Sequence, residues 1–301
     1  MITNLPTVHF STLRDALGLA LGVDAVDGQI TQQFARQCAR ALNVATRYAW
    51  RAYSWEEVCP VLTALEVDAG GGRMVPVVAP GYELLRVFSE NPETAYSETE
   101  DTYAKEIAFS LGRRGNIVLS ESVTTPFYLV RLAPPVWGAE AWSATVDYQP
   151  GAVVFDAGGD NSAGDCYAAM RGSLNSALPT TWDPWLESES LVSGDKYFVH
   201  GVLWTATDSG TVADTMEPGV GSLWLSYFSP EHLAWAPQRL PHFLMEAVLA
   251  GAEAWLQRTM EGQPATMAVV KRAMDELLES EVASRWATRR QYRNGTPIHL
   301  P

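Results

Sequence analysis

The chain has 301 residues, of which 47% are apolar, so it is long enough to form two domains with a core in each. An aromatic content of 10% and a charged content of only 19% exclude an intrinsically disordered chain. The net charge of −14 argues against a protein that wraps nucleic acid, because neutralising phosphates requires a basic face.

The sequence also predicts a compartment. It has no apolar run near the roughly 20 residues that a membrane-spanning helix needs, so no membrane partner is expected. The first residues lack the basic and apolar regions of a signal peptide. Three cysteines cannot all pair within one chain, so we expect Cys38, Cys59 and Cys166 to be free thiols in a reducing cytosol.

Two helices are predicted near the N-terminus. Ser11 is a suitable N-cap for a helix over residues 12–21, and Asp27 for a longer one over residues 28–53. In the longer helix, apolar residues recur at spacings of three and four and form one face. Four arginines fall largely off that face, where their charges remain hydrated: Arg36, Arg40, Arg47 and Arg51.

The region from 61 to 136 changes to a period of two, which is typical of strands. Glycine- and proline-rich turns separate the strand-like segments, which are residues 75–78, 83–88, 116–119 and 127–132. The acidic stretch between 89 and 106 is predicted to be an exposed loop or a long hairpin arm.

The middle of the chain is acidic and repeats itself. Residues 140–231 contain 13 acidic and two basic side chains and show no helical period. A glycine turn, an aromatic residue two positions before an alanine, a proline and a tryptophan occur in that order twice. This pattern predicts a tandem pair of small β modules, over about 140–187 and 188–229.

A helical hairpin and a tail are predicted at the C-terminus. The first helix starts at Leu240-Pro241 and ends at Met260, and the second runs from Pro264 to about Arg290. Leu244, Val248 and Leu256 are expected to face Leu277 and Leu278. Residues 286–301 are expected to form an extended basic docking tail whose contacts are Arg289, Arg290, Tyr292, Arg293, Ile298 and Leu300.

The sequence shows little catalytic chemistry. Its five histidines lack ligand spacing, and it has no nucleophile elbow and no phosphate-binding loop. Asp156, Asp160, Asp165 and Asn161 form an acidic loop, but their spacing does not match a calcium-binding loop. A hydrolase that uses Asp156 and Asp165 stays a competing hypothesis. We predict no enzyme, no catalytic residues, no cofactor and no metal.

The tryptophan-rich middle resembles the small chitin-binding-type modules of bacterial chitinases. The similarity lies in residues 148–154, in residues 167–169, in Pro179 and in the pair Trp182 and Trp185. The resemblance implies a carbohydrate-binding module in which Trp182 is a possible glycan contact, because aromatic faces stack on sugar C–H groups. Trp185 and Trp224 are more simply explained as core residues of modules that have little other core.

The flanking segments resemble a head-to-tail adaptor (connector, or head-completion) protein of a tailed bacteriophage. Three stretches carry this similarity, namely residues 34–55, residues 127–135 and residues 240–273. The resemblance implies a structural virion protein, assembled in the host cytoplasm, that forms a ring expected to be twelve-fold. Its implied partners are the portal protein, the next tail or neck protein and its own copies. The ring extends the DNA channel, whose acidic or neutral lining lets the genome pass without sequence-specific binding.

Together these patterns predict an α+β protein. The N-terminal helices and the C-terminal hairpin are expected to form a helical bundle, the adaptor domain, over 1–139 and 230–301, with the β-rich region at 61–136. The tandem β modules are expected to be an insertion at 140–229 that can be removed without unfolding the flanks. The alternative function is a glycan- or host-surface-binding protein that acts through these modules.

Overall fold

The computed structural model describes residues 7–23, 31–55, 58–62, 65–67, 74–76, 83–92, 104–111, 117–124, 126–149, 151–156, 164–169, 183–184, 190–199, 202–206, 208–211, 228–230 and 235–292. The chain is a mixed α+β protein, as predicted. Its helices are α1 (Phe10–Ala20), α2 (Gln32–Ala52), α3 (Met245–Met260) and α4 (Met267–Tyr292). A 3-10 turn over His242–Leu244 precedes α3.

The strands are short and belong to several small sheets. In chain order they are β1 (Thr7–Val8), β2 (Val61–Leu62), β3 (Leu65–Val67), β4 (Met74–Pro76), β5 (Glu83–Phe88), β6 (Phe109–Leu111), β7 (Ile117–Leu119), β8 (Phe127–Arg131), β9 (Val153–Phe155), β10 (Cys166–Ala169), β11 (Asp183–Pro184), β12 (Ser190–Leu191), β13 (Lys196–Val199), β14 (Val202–Ala206), β15 (Gly210–Thr211), β16 (Phe228–Pro230), β17 (Trp235–Gln238) and β18 (Leu240–Pro241).

The chain divides into two compact units that differ from the predicted domains. One, here called the helical unit, contains Leu5–Tyr53, Pro134–Leu178 and Pro237–Pro301. The other, the β unit, contains Met1–Asn4, Ser54–Ala133 and Pro179–Ala236. The first predicted module is therefore divided: its residues up to Leu178 belong with the helices, whereas its last residues and the second module belong with the β-rich region.

Aromatic and polar contacts explain why the first module joins the helices. The Phe155 ring of β9 packs edge-on against Phe10 of α1, with 5.6 Å between ring centroids. Trp137 stacks on Phe10, with 6.0 Å between ring centroids, and donates its indole N–H to the hydroxyl of Thr46 on α2. Glu140 accepts hydrogen bonds from Arg36 and Gln32 of α2. The module thus packs against α1 through Phe155 and is connected to the surface of α2 through Glu140.

The helix boundaries differ slightly from the predicted ones. The N-cap of α1 is His9 rather than Ser11, and that of α2 is Thr31, whose hydroxyl accepts a hydrogen bond from the Phe34 N–H. Asp27 lies outside the described residues. Leu240–Pro241 is a strand, not the start of a helix, because it pairs with Thr7–Val8.

The C-terminal helix ends at Tyr292, about two residues later than predicted. Residues 286–292 are the last part of α4, so the predicted extended tail is wrong for that segment. The turn before α4 agrees with the prediction, since Gly262 adopts a φ of 70° that favours glycine.

The β unit contains the strands predicted from the period of two. β5 and β2 flank β8 in an antiparallel sheet, and the predicted segments 83–88 and 127–132 account for two of these strands. The core of this part consists of apolar side chains from several strands and one connecting segment: Leu62, Val87, Ile107, Tyr128 and Val130.

The two sequence repeats adopt the same local turn. In the first copy Gly151 has a φ of 88° and donates its N–H to the carbonyl of Ala169. In the second copy Gly194 has a φ of 97° and donates to the carbonyl of Ala206. Each turn leads into an antiparallel strand pair, β9 with β10 and β13 with β14. The glycine turn and the strand pair that follows it are therefore common to both copies, which lie in different units.

Deletion of residues 140–229 is expected to unfold the helical unit, contrary to the expectation from sequence. The deletion removes Phe155, which packs on Phe10, together with the fully buried Asp165. We expect a loss of most of the helical circular dichroism at 25 °C. An unchanged helical signal with a cooperative melting transition would contradict this assignment of the first module.

Candidate functional site

A cluster of His9, Asp165 and Arg239, centred on the buried Asp165 carboxylate, joins three distant parts of the helical unit. His9 lies between β1 and α1, Asp165 immediately precedes β10, and Arg239 lies between β17 and β18. In one sheet β10 lies between β9 and β17, and β1 pairs with β18, which brings the three residues together. The carboxylate of Asp165 is fully buried, and its two oxygens meet His9 Nδ1 at 2.7 Å and an Arg239 guanidinium nitrogen at 2.5 Å.

The electrostatics of Asp165 combine two opposing effects. Burial raises the pKa of this carboxyl above its ordinary value, and the charges of Arg239 and His9 act in the opposite direction. A buried carboxylate without such partners would be strongly unfavourable. The pairing with Arg239 and His9 therefore lets the carboxylate of Asp165 remain within the core. Removal of Asp165 would take this carboxylate away from Arg239.

The cluster is arranged as a structural connection and not as a nucleophile-activating dyad. A catalytic histidine held by an aspartate presents its other ring nitrogen to a hydroxyl or thiol. Here Nε2 of His9 faces a guanidinium nitrogen of Arg239 at 3.1 Å. This geometry suits a ring that donates from Nδ1 to Asp165 and accepts at Nε2 from Arg239.

The competing hydrolase hypothesis and the acidic loop both involve Asp156 and Asp165. Backbone hydrogen bonds place these residues beside each other, since the Asp156 N–H donates to the Asp165 carbonyl. The Asp165 carboxylate, however, binds His9 and Arg239. Asp160 and Asn161 lie outside the described residues. In the part of the chain that the structure describes, no group of three or more His, Cys, Asp or Glu side chains is placed to hold a metal ion.

Sequence reasoning did not find this cluster. His9 is one of five scattered histidines, and no local pattern in the sequence marks Arg239. The pairs are separated by 156 and 74 residues along the chain, so no local spacing connects them. The sequence indicates only that each of the three residues lies next to a short strand. It does not specify which strands pair, and so it does not predict that the residues meet.

The helical hairpin packs as predicted, with one exception. Leu244, Val248 and Leu256 are buried, and so is Leu278 of α4. Leu277 is 37% exposed, because consecutive residues of a helix point about 100° apart and only one of the two leucines faces α3. Gly251 lets the helices approach closely, since a Cβ at this position would clash with Met274 and press on Ala45 of α2.

The hairpin ends asymmetrically, because α4 is longer than α3. The guanidinium of Arg285 lies 3.7 Å from the centroid of the Phe243 ring, in the turn before α3. Residues 286–292 therefore continue past the start of α3, over about 10 Å of helix. Arg285 also pairs with Glu281, the last acidic side chain of the sequence.

The predicted contact residues are only partly covered by the structure. Arg289, Arg290 and Tyr292 belong to the last turns of α4, after Arg285. Arg293, Ile298 and Leu300 lie outside the described residues, as do Trp182, Trp185 and Trp224. Their roles therefore stay predictions.

The comparisons with known proteins give no relative: no protein-family model, no curated protein and no solved structure matches the chain. A search of the described helices also finds none that is long and apolar enough to cross a membrane.

The three cysteines are free thiols, as predicted from the sequence, and all three are buried. Burial raises the pKa of Cys38 and of Cys166 to about 12, and it raises that of Cys59 above its ordinary value. We expect no reaction with a thiol reagent at pH 8 on the timescale of minutes, because a thiol with such a pKa is only about one part in 10⁴ thiolate. The same protein in denaturant is the control and should react at three sites. Rapid labelling of the native chain would contradict the burial.

Proposed function

We propose that this protein is a structural component of a tailed-phage virion, a head-to-tail adaptor without catalytic activity. The observation that carries the proposal is the C-terminal end of α4, which passes the start of α3 and leads into a stretch without acidic side chains. After Glu281 the chain has four arginines, Arg285, Arg289, Arg290 and Arg293, although the whole protein carries a charge of −14.

The composition of the C-terminal segment after Glu281 suits a docking element. Arginine forms bidentate pairs with carboxylates, so a basic segment binds an acidic groove with defined geometry. Tyr292, Ile298 and Leu300 supply apolar anchors, and Pro297 and Pro301 restrict the backbone. In the proposed assembly this segment, the docking tail, binds the portal protein or a neighbouring subunit.

A ring also accounts for the rest of the molecule. In the proposed adaptor ring, expected to be twelve-fold, copies of this chain lie beneath the portal and above the next tail or neck protein. An acidic chain suits a DNA passage, since its field repels phosphates and the genome slides without being held. The location is the virion, after assembly in the host cytoplasm.

Truncation after Arg285 tests this function. The shortened chain keeps the contact of Arg285 with Phe243, so it should fold, with a helical circular dichroism signal lowered only by the loss of residues 286–292 and with nearly unchanged thermal stability. We expect it to be absent from purified virions, or reduced at least about tenfold, because a docking segment of this kind contributes several kcal/mol.

A matched control separates docking from general charge. The double variant Lys271→Ser/Arg272→Ser removes two exposed cations of the same helix and should be incorporated normally. Normal incorporation of the truncated chain, as judged by mass spectrometry of virions, would refute the docking role.

The alternative function is glycan binding by the repeated β modules. The shared glycine turn supports it, because both copies then form one kind of module. The central tyrosines of the two copies, Tyr167 and Tyr197, are nevertheless buried and do not offer a ring face to a sugar. Retention of the wild-type protein on chitin, lost in Trp182→Ala, would favour this alternative over the adaptor.

A further inference from the structure

The solvent side of α2 carries a row of arginines that the fold itself hardly uses. Arg36, Arg40, Arg47 and Arg51 fall within about 60° of arc at 100° per residue, along about 22 Å of helix. All four are exposed. Arg36 pairs with Glu140 at 2.8 Å. Within the part of the chain that the structure describes, Arg40, Arg47 and Arg51 have no charged or hydrogen-bonding partner, and we call these three the arginine face.

The charges of the chain are strongly segregated. Residues 28–55 contain four arginines and no acidic side chain, and residues 282–301 contain another four and none. These segments hold eight of the 21 basic side chains, which leaves 13 basic against 35 acidic side chains elsewhere. A molecule with one basic helix and an acidic remainder is complementary to a second copy of itself, and such complementarity steers association and selects the contact surface.

A groove next to the arginine face adds apolar surface. Its volume is about 550 Å³, and Arg40 and Val44 of α2 line it together with Trp255 and Leu256 of α3. Arginine and tryptophan are the residues that most often dominate protein–protein interfaces. Phosphate backbones do not need an apolar groove, so the combination favours a protein partner over nucleic acid.

The β unit offers a surface with the matching chemistry. Residues 192–195 form an exposed turn beside residues 208–209, and the Ser193 N–H donates to the Ser209 hydroxyl at 2.9 Å. This acidic turn presents the exposed residues Asp195 and Asp208. Val192 lies in the same turn and is 55% exposed, which is unusual for a valine side chain. The turn thus combines two carboxylates with one apolar side chain.

We infer that the arginine face and its groove bind the acidic turn of a second copy of this chain, with Asp195 and Asp208 against Arg40 and Arg47 and with Val192 at the groove. The contact is heterologous, because it joins different surfaces of the two copies, and repetition of such a contact generates a ring or a filament. The inference deepens the proposed function, which requires a contact between neighbouring subunits.

Sedimentation velocity of the full chain at low and high salt tests the contact. Wild type should self-associate at 10 mM ionic strength, and association should weaken as salt shortens the Debye length from about 30 Å to about 8 Å. Arg40→Glu/Arg47→Glu should weaken association at least about tenfold, since it places like charges opposite each other. Lys271→Glu/Arg272→Glu changes the net charge equally on another helix and should associate like wild type.

A charge exchange identifies the partner surface. Adding Asp195→Lys/Asp208→Lys to Arg40→Glu/Arg47→Glu should restore self-association, because the two reversed surfaces match again. Failure of this rescue would overturn the assignment to the acidic turn. A wild type that stays monomeric at every salt concentration would also overturn the inference. So would a DNA gel shift that Arg40→Glu/Arg47→Glu abolishes, because the arginine face would then be a nucleic-acid site.

The outcome is separable from that of the virion experiment. Self-association by sedimentation requires neither portal nor particle. A chain that associates through the arginine face but never enters virions would retain this inference and refute the adaptor function. A chain that enters virions but does not self-associate would refute this inference and retain the adaptor function.

Discussion

Replacing Asp165 with alanine is expected to lower the free energy of unfolding by about 3–5 kcal/mol, because breaking a buried ion pair by removing one of its members is strongly destabilising. The side chain of Asp165 is fully buried, and that of Arg239 is only 11% exposed. The substitution also disconnects His9 and so loosens the junction between β1, β10 and β18. Urea denaturation followed by circular dichroism measures the change.

An exposed pair in the same unit provides the control. Asp15 pairs with Arg14 at 2.8 Å, but its side chain is 58% exposed, so Asp15→Ala should change the free energy of unfolding by at most about 1 kcal/mol. Asp165→Asn tests the charge separately, because the amide keeps the shape and one acceptor oxygen. If Asp165→Ala were as stable as Asp15→Ala, the cluster would not be a buried connection of the helical unit.

Val248→Asp is expected to unfold the helical unit at 25 °C or to leave it only marginally stable. Val248 is fully buried in α3, and burying an unpaired carboxylate costs several kcal/mol out of the roughly 5–15 kcal/mol that stabilises a typical domain. Val248→Ala removes only apolar volume and should cost roughly 1–3 kcal/mol. Thermal denaturation of the two variants should therefore show a graded loss.

The facing helix supplies a matched control for the added charge. Leu277→Asp introduces the same carboxylate on α4 at a position that is 37% exposed, so the new charge stays hydrated. It should lower stability far less than Val248→Asp. A melting temperature for Val248→Asp equal to that of wild type would show that α3 does not face α4 and α2 in the way described.

Local patterns in the sequence were enough for most of the secondary structure. The apolar spacing of α2 and of the hairpin, and the period of two around β5 and β8, follow from side-chain direction along a regular backbone, which depends on adjacent residues alone. The glycine turns of the repeats were also predictable, because a positive φ requires glycine at a fixed place in the motif.

Helix ends were less predictable because tertiary contacts compete with capping preferences. Ser11 is a good N-cap by type, but its N–H bonds to the carbonyl of Gly164, and the helix begins two residues earlier than predicted, at Phe10. Pro241 suits a first helical turn, yet the pairing of β18 with β1 holds it in a strand. In both cases a residue far along the chain decided the local conformation.

The sequence by itself determined the mixed α+β class, the amphipathic helices, the repeated glycine turn and the segregation of charge, because each of these depends on residue type and short-range spacing. Only the tertiary structure decided that the two repeats belong to different units and that His9, Asp165 and Arg239 meet. The physical reason is that strand pairing and burial are cooperative properties of segments more than 70 residues apart, and many pairings are compatible with the same local pattern.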